Sequence, residues 1–476
     1  MNREKRFIRN VIYAFAAQGV SLFLSILTSL ILPKFLDKTN WAYWSLFLFY
    51  TGYVGFFHFG LNDGVYLKAG GTEYEDMDKR LLGAQFRFGA LFQTVIGIIM
   101  VVCTYFFVDE KFRYFAIIAT VVYMLLFNLT MYLGCIFQAA NETRLYSMSV
   151  MIDKIVFMIA VIGLFLLKSM DFRVYILLYL FAKICAFAYC VYKGREIVFS
   201  KPILMTETWK ESINSIKIGI NLTIANIASN LILGAGRFVI DEYWGIDDFG
   251  EFSFSLTLTN FFLLFISQIS MVLFPALRQV DEEKLKDLFD KSKKGLLVVL
   301  PVIFILYLPA KEILKIWLPQ YEISLVYMAI LLPMCIFDGK MNLVCATYFK
   351  VLRKEKFLLY VNLISMTLSV VLSIMGAFVL KNMDAVVLAM VIAVAVRYFI
   401  SQFYLERMLE NGKSHELITQ AAAEIALTII CTFSCWKFNS LIAFGITLCA
   451  YAAYLFYNRQ YTMYVVNVVK DKLMRR

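Results

Sequence analysis

Apolar runs long enough to cross a lipid bilayer follow one another along almost the whole chain, with only short polar stretches between them. A helix needs roughly 20 predominantly apolar residues to span the hydrocarbon, so each run predicts one membrane-spanning helix. Of the 476 residues, 61% are hydrophobic and 17% are charged, whereas soluble domains are far more polar. The chain is therefore expected to be an all-α integral membrane protein, and a soluble globular fold is excluded.

Charged or turn residues delimit the candidate spans. We place fourteen, at about 11–32, 41–62, 82–108, 114–138, 147–167, 174–193, 213–240, 248–275, 295–317, 324–349, 357–380, 384–405, 416–436 and 439–457. The first run is too long for the apolar part of a signal peptide, so we expect an uncleaved first span. The nine cysteines fall almost entirely inside apolar runs, which favours small core residues over a metal or disulfide site.

The distribution of Lys and Arg predicts the orientation, because basic loops resist translocation. With the N-terminus inside, the cytoplasmic segments hold 29 of the 46 basic residues, and the outer segments and outer span ends hold 11. We therefore expect both termini to be cytoplasmic. This asymmetry also accounts for the net charge of +11, so nucleic acid is not expected as a partner.

A weak internal repeat appears when the chain is shifted by 208 residues, which aligns span one with span seven and span two with span eight. Gln18 then meets Asn226, and Ser21 meets Ser229. We interpret this as two six-helix lobes in the same orientation, with chance similarity between apolar helices as the alternative. The predicted domains are an N-terminal lobe at 1–193, a cytoplasmic linker at 194–212, a C-terminal lobe at 213–405, two accessory helices at 416–457 and a basic cytoplasmic tail at 458–476.

Span seven carries a stripe of polar and small residues that includes Asn226, Asn230, Arg237 and Asp241. An ionisable group deep in the membrane usually faces a cavity or a partner, because burying it in lipid is costly. We expect the stripe to line a water-filled cavity. Tight helix packing is the alternative, and Arg237 and Asp241 are also spaced to neutralise one another.

Two bases, Lys183 in span six and Arg397 in span twelve, lie too deep to reach the membrane surface easily, and we expect both in the cavity. Further candidates for cargo contact are Lys340, Lys154 and Arg87, and candidates for coupling or gating are Asp241, Asp338, Asp153 and His58. Bases outnumber acids within the spans, which favours an anionic cargo. For Arg87 a contact with lipid headgroups is the preferred interpretation, and for His58 packing and proton sensing both stay open.

The segment GLNDGVYLKAGG at residues 60–71 follows span two. It resembles the GL-x-DG-x-YL-[RK]-x-GG segment of many bacterial polysaccharide-biosynthesis membrane proteins. Together with the IRN start of span one, the short loops and the 6+6+2 count of spans, the whole chain resembles an oligosaccharide flippase, of O-antigen or capsule type, in the multidrug/oligosaccharidyl-lipid/polysaccharide exporter superfamily.

This resemblance implies a V-shaped pair of lobes that opens alternately to each side of the bacterial cytoplasmic membrane. It implies a cargo of polyprenyl-pyrophosphate-linked oligosaccharide, moved to the outer leaflet for surface polysaccharide biosynthesis. Lys183, Arg237 and Arg397 would supply counter-charge to the pyrophosphate. Membrane lipids, a polysaccharide polymerase and glycosyltransferases are the implied partners, and the glycines of the 60–71 segment would permit a tight cytoplasmic turn.

Two other functions compete with the flippase. A drug/cation antiporter of the same fold should carry an acidic cation site in the first span, which has no acid. An integral-membrane glycan polymerase or ligase needs a large outer loop or clustered carboxylates, and the outer loops are short. No arrangement of catalytic residues, metal ligands or cofactor-binding residues can be placed, so we do not expect an enzyme.

Overall fold

The computed structural model describes the backbone of residues 3–167, 171–277, 282–409 and 414–474. Side chains are described for residues 19–165, 171–264, 285–409, 418–467 and 470. All regular secondary structure in these ranges is helical, which confirms the predicted fold class.

Nineteen α-helices occur within the described residues. They are α1 (Arg3–Phe35), α2 (Lys38–Thr51), α3 (Leu61–Ala69), α4 (Lys79–Phe107), α5 (Lys111–Ala139), α6 (Thr143–Leu167), α7 (Phe172–Lys193), α8 (Arg195–Val198), α9 (Met205–Trp244), α10 (Ile246–Leu277), α11 (Glu282–Val299), α12 (Ile303–Trp317), α13 (Glu322–Lys340), α14 (Ala346–Val351), α15 (Glu355–Ile374), α16 (Met383–Leu409), α17 (Ser414–Lys437), α18 (Ser440–Tyr457) and α19 (Arg459–Met474). Short π-helical turns at Met341–Cys345 and Met375–Val379 follow α13 and α15.

Eleven helical segments of the described chain are long and apolar enough to cross a membrane. The remaining predicted spans correspond to α1, α2 and α10, so fourteen is an approximate count. The protein is a multi-pass membrane protein, as the apolar runs predicted.

The second span is not the continuous helix that the apolar run at 41–62 predicted. Helix α2 ends at Thr51, a short 3-10 turn follows at Val54–His58, and α3 begins only at Leu61. Phe59 and Gly60, which lie between the 3-10 turn and α3, adopt left-handed backbone angles, with φ of 51° and 91°. Such angles end a right-handed helix, and glycine adopts them without steric cost.

The chain forms two compact units, an N-terminal unit of residues 1–227 and a C-terminal unit of residues 228–476. The chain passes from one to the other within α9. The predicted lobes, linker, accessory helices and tail stay a prediction.

In the N-terminal unit, α5 packs against α2, α3, α4 and α7, while α6 packs between α1 and α7. An aromatic cluster fills the space where α2, α5, α6 and α7 meet. Its members are Trp44, Phe47, Tyr123, Phe157 and Tyr179. At the start of α7, the side chain of Asp171 accepts a hydrogen bond from the backbone N–H of Arg173. Hydrogen bonds from the Arg173 side chain hold the pKa of this carboxyl below its usual range.

In the C-terminal unit, α13 is the most enclosed helix and packs against α10, α16 and α17. The Lys340 ammonium donates a hydrogen bond to the Glu424 carboxylate, and both side chains are 4% exposed. This buried ion pair connects α17 to α13. Separation of the two groups would leave either charge alone in the apolar interior, which is strongly unfavourable.

Candidate functional site

A cavity of about 220 Å³ lies within the N-terminal unit, between α5, α6 and α7. We call it the lysine cavity, because two lysines and one carboxylate face it among aromatic and small polar side chains. The residues that line it are Tyr123, Phe127, Thr130, Met131, Tyr146, Ser149, Val150, Asp153, Lys154, Tyr179, Lys183 and Ala186.

Lys183 and Asp153 form a buried ion pair in the lysine cavity. The Lys183 ammonium donates to Asp153 Oδ2 over 2.5 Å, and the two side chains are 9% and 7% exposed. The same ammonium lies 5.4 Å from the ring centroid of Tyr123 and 5.6 Å from that of Phe127. The second carboxylate oxygen, Oδ1, is buried and has no hydrogen-bond partner among the described residues.

Lys154 is the next residue along α6, and no described carboxylate lies within 4 Å of its ammonium. Its Nζ atom instead lies 5.9 Å from the ring centroid of Tyr179, as a cation–π contact. Two lysines therefore face one carboxylate, and the lysine cavity carries a net charge of +1. A surplus cation in an enclosed site attracts an anion, because low polarity strengthens the interaction between charges.

The bases of the C-terminal unit are placed differently. The Arg397 guanidinium contacts Asp338 at 3.2 Å through Nη1, and its Nε donates to Asn362 Oδ1 at 2.8 Å. Asn342 also donates to Asp338, at 2.9 Å. The structure therefore brings Arg397 and Asp338 together, in the manner of a structural ion pair, and Lys340 pairs with Glu424 as described above. A cargo contact for Arg397 or Lys340 stays a prediction.

The polar stripe of span seven divides into two parts along α9. Gly219 and Thr223 pack into the N-terminal unit, as the packing interpretation predicts. Asn226 and Asn230 are exposed, and the water-filled cavity stays a prediction. Farther along, the Arg237 guanidinium donates to Ser253 Oγ at 2.9 Å and lies 5.1 Å from the ring centroid of Phe249. Asp241 is 9% exposed.

Close packing explains Gly60 and Gly64 of the 60–71 segment better than a turn alone. A Cβ on Gly60 would lie 2.5 Å from the backbone nitrogen of Ile220, and one on Gly219 would lie 2.0 Å from the carbonyl oxygen of Gly60. The segment therefore lies directly against the backbone of α9. Its positive φ angles, 91° at Gly60 and 90° at Gly71, also provide the tight turns that the sequence predicted.

Polar side chains fix the same junction. His58 Nδ1 accepts a hydrogen bond from the Gly60 N–H at 2.9 Å, and His58 Nε2 lies 4.0 Å from Asp63. The Thr223 hydroxyl donates to Asp63 at 2.7 Å and so connects the segment to α9. These contacts give His58 and Asp63 a role in ordering the junction.

Arg87 lies on α4 and donates to the carbonyl oxygens of Val198 and Ser200, at 3.4 and 3.0 Å. It thus satisfies carbonyl groups at the end of the short helix α8, whose last backbone acceptors have no helical partner. This contact differs from the lipid contact that the sequence favoured, because the chain after α7 folds back over the first part of α4.

Sequence reasoning did not find the aromatic wall of the lysine cavity. Tyr123 and Phe127 are spaced four residues apart on α5 and so lie on one helix face, which is the signal that was available. The sequence also did not show that Asp153, a candidate for coupling or gating, is 5% exposed and pairs with Lys183.

Solved structures show the same fold at low sequence identity. A structure described as "Lipid II flippase MurJ, inward closed conformation" superimposes with a TM-score of 0.67 and 14% identity, over 95% of this chain and 99% of that chain. An inward-facing multidrug resistance MATE family transporter of the MOP superfamily superimposes with a TM-score of 0.61 and 12% identity, over 85% of this chain and 99% of that chain. A point mutant of the Vibrio cholerae MATE transporter VcmN superimposes with a TM-score of 0.58 and 11% identity, over 86% of this chain and 97% of that chain.

No curated protein sequence matches the chain. The family model described as "Polysaccharide biosynthesis protein" matches residues 7–281. The chain thus has the fold of MOP-superfamily flippases and transporters, and, because the family model covers more than half of it, the protein belongs to the polysaccharide biosynthesis protein family.

Proposed function

We propose that this protein is a flippase that moves polyprenyl-pyrophosphate-linked oligosaccharide from the cytoplasmic to the outer leaflet by alternating access. The observation that carries the proposal is the surplus positive charge of the lysine cavity, where Lys154 and Lys183 face the single carboxylate of Asp153. Family membership and the flippase-like fold support the same function.

The diphosphate is the part of the cargo that fits the lysine cavity. The lysine cavity, with a volume of about 220 Å³, is on the scale of one small anionic group such as a diphosphate, and a glycan of several sugars would extend beyond it. Lys154 and Lys183 would therefore hold the charged linkage, and the glycan would lie outside the cavity.

The flippase would work in the bacterial cytoplasmic membrane with both termini in the cytoplasm, as the basic loops predict. Glycosyltransferases would supply the lipid-linked cargo on the inner side, and a polysaccharide polymerase would consume it on the outer side. The protein itself would form and break no covalent bond.

A drug/cation antiporter is the second candidate, because MATE transporters share the fold. A cationic drug would meet a net charge of +1 in the lysine cavity, and Lys154 would repel it. The charge of the cavity therefore favours the anionic cargo.

Lys154→Gln provides the direct test. The substitution removes the surplus charge and leaves no carboxylate unpaired, so we expect normal protein levels. In proteoliposomes, transport of a prenyl-pyrophosphoryl oligosaccharide should fall about tenfold or more, and Lys154→Arg should keep part of it. Lys437→Gln, which removes an exposed lysine at the end of α17, is the matched control and should transport normally.

Full transport by a normally abundant Lys154→Gln protein would overturn the proposal. Transport of a cationic dye by the wild type, improved by Lys154→Gln and with no transport of the prenyl-pyrophosphoryl cargo, would establish the antiporter instead.

A further inference from the structure

Asp153 occupies the position in the lysine cavity that an anionic cargo needs. Its Oδ2 atom holds the Lys183 ammonium, while its Oδ1 atom is buried without a hydrogen-bond partner among the described side chains. A buried carboxylate oxygen without a donor is costly, and native proteins rarely leave one without a reason. We propose that the diphosphate displaces Asp153 from Lys183 and that Asp153 then binds a proton, so that about one proton enters the site with each cargo molecule.

This inference rests on the proposed function, because it concerns the same anion in the same cavity. The charges of the site support it. A diphosphate esterified at both ends carries two negative charges, which the ammonium groups of Lys154 and Lys183 balance. An ionised Asp153 would add a third negative charge beside them, and its protonation restores neutrality.

Asp153 is the group that accepts the proton, because the other titratable side chains at the cavity do not titrate near neutral pH. Tyr123 faces the cavity from α5, Tyr146 from α6 and Tyr179 from α7. Phenols are neutral near pH 7, and the lysines stay charged beside the anion. Helix α1 also packs on α6, and Lys34, near its end, is the single ionisable group among its described side chains.

Protonation also changes how Asp153 can interact with the cargo. Once it is displaced from Lys183 and protonated, the Asp153 carboxyl changes from an acceptor into a donor and can form a hydrogen bond to a phosphate oxygen. The carboxyl of Asp153 thus becomes a third donor to the cargo, beside the two ammonium groups. The proton balance is simple: one proton from the solution adds to the carboxylate when the anion binds and leaves when the anion leaves.

Binding calorimetry on the full-length protein in nanodiscs tests the inference. The probe is a short-chain prenyl-pyrophosphoryl monosaccharide, whose two phosphates do not titrate between about pH 6 and 8. Titrations in buffers of different ionisation enthalpy should show uptake of about one proton per ligand. The affinity should rise by up to tenfold for each pH unit of acidification.

Asp153→Asn removes the competing charge. This variant should bind the probe without proton uptake and independently of pH, and more tightly than the wild type at the alkaline end. Asp171→Asn, which neutralises an exposed carboxylate at the start of α7, is the matched control and should keep the proton uptake. Infrared difference spectra of the wild type should also show a protonated carboxylic acid on ligand binding, a measurement that does not depend on the folding of a variant.

The outcomes separate the two proposals. If the wild type does not bind the probe, the proposed function fails and this inference fails with it. If the wild type binds without proton uptake and without the carboxylic acid signal, or if proton uptake persists in Asp153→Asn, the proton inference is wrong and the proposed function stands.

Discussion

Gly64 of α3 and Ser215 of α9 are in backbone contact, so close that a Cβ on Gly64 would lie 1.8 Å from the Ser215 carbonyl oxygen. Gly219, one turn farther along α9, makes a similar approach to Gly60. Small residues allow helix backbones to approach closely in membranes, where packing rather than water drives association. The 60–71 segment is thus the point at which the N-terminal unit holds the first half of α9.

Gly64→Ala should destabilise the protein strongly. The added methyl group meets rigid backbone at Ser215, and overpacking of this kind costs about 1 to 3 kcal/mol or more. We expect a lower melting temperature in detergent and reduced protein in the membrane. Gly163→Ala, in α6, is the control, because a Cβ at Gly163 meets no atom within 4 Å. Equal stability of the two variants would contradict the backbone contact.

Cysteine labelling along α9 should show where the polar stripe is accessible to water. We expect cysteines at Asn226 and Asn230 to react with a small water-soluble thiol reagent, because both positions are exposed. Cysteines at Ala228 and Ile232 should not react, because each is 1% exposed. If all four react alike, the exposed face does not line a hydrated cavity.

The predicted orientation has its own test. Thr72 lies in the loop after α3 and Lys381 in the loop before α16, and both are exposed. With both termini in the cytoplasm, Lys381→Cys should label with an impermeant thiol reagent in intact cells, and Thr72→Cys should label only after lysis. Labelling of Thr72→Cys alone in intact cells would reverse the orientation.

The apolar runs predicted most of the fold, because the length of a span and the exclusion of charge from lipid are properties of local sequence. The exception at 41–62 shows the limit of this reasoning. Between the two helices that replace this span, Phe59 and Gly60 adopt left-handed angles, and hydropathy carries no information about backbone angles. The sequence did not indicate the role of Gly64 either, because Ser215, which Gly64 contacts, lies far from it along the chain.

The sequence indicated which bases lie deep within their spans, but it did not indicate their partners. Lys183 and Arg397 were identified as buried bases from their distance to the span ends, and both are buried. Their carboxylate partners are 30 and 59 residues away along the chain, on neighbouring helices. Tertiary packing determines which helices are neighbours, and that arrangement cannot be derived from a single sequence. The uncompensated charge of Lys154 became visible only after the pairs were known.

The ion pair between Arg397 and Asp338 leads to the last prediction. Both groups are largely buried, and the guanidinium also holds Asn362. Removal of one partner of a buried pair leaves an uncompensated charge and typically costs about 3 to 5 kcal/mol. We therefore expect Arg397→Ala to lower the membrane protein level and the melting temperature.

Neutralising the partner separates this structural role from the cargo contact that the sequence predicted. In the double variant Arg397→Ala with Asp338→Asn, no buried charge remains unpaired, so stability and protein level should recover. Transport should recover with them if Arg397 only supports the fold. If Arg397→Ala is instead as abundant and stable as the wild type but does not transport, the ion pair is not structural and the guanidinium contacts the cargo. In that case Arg397→Lys should keep part of the activity, because the positive charge survives although the two-pronged geometry of the guanidinium is lost.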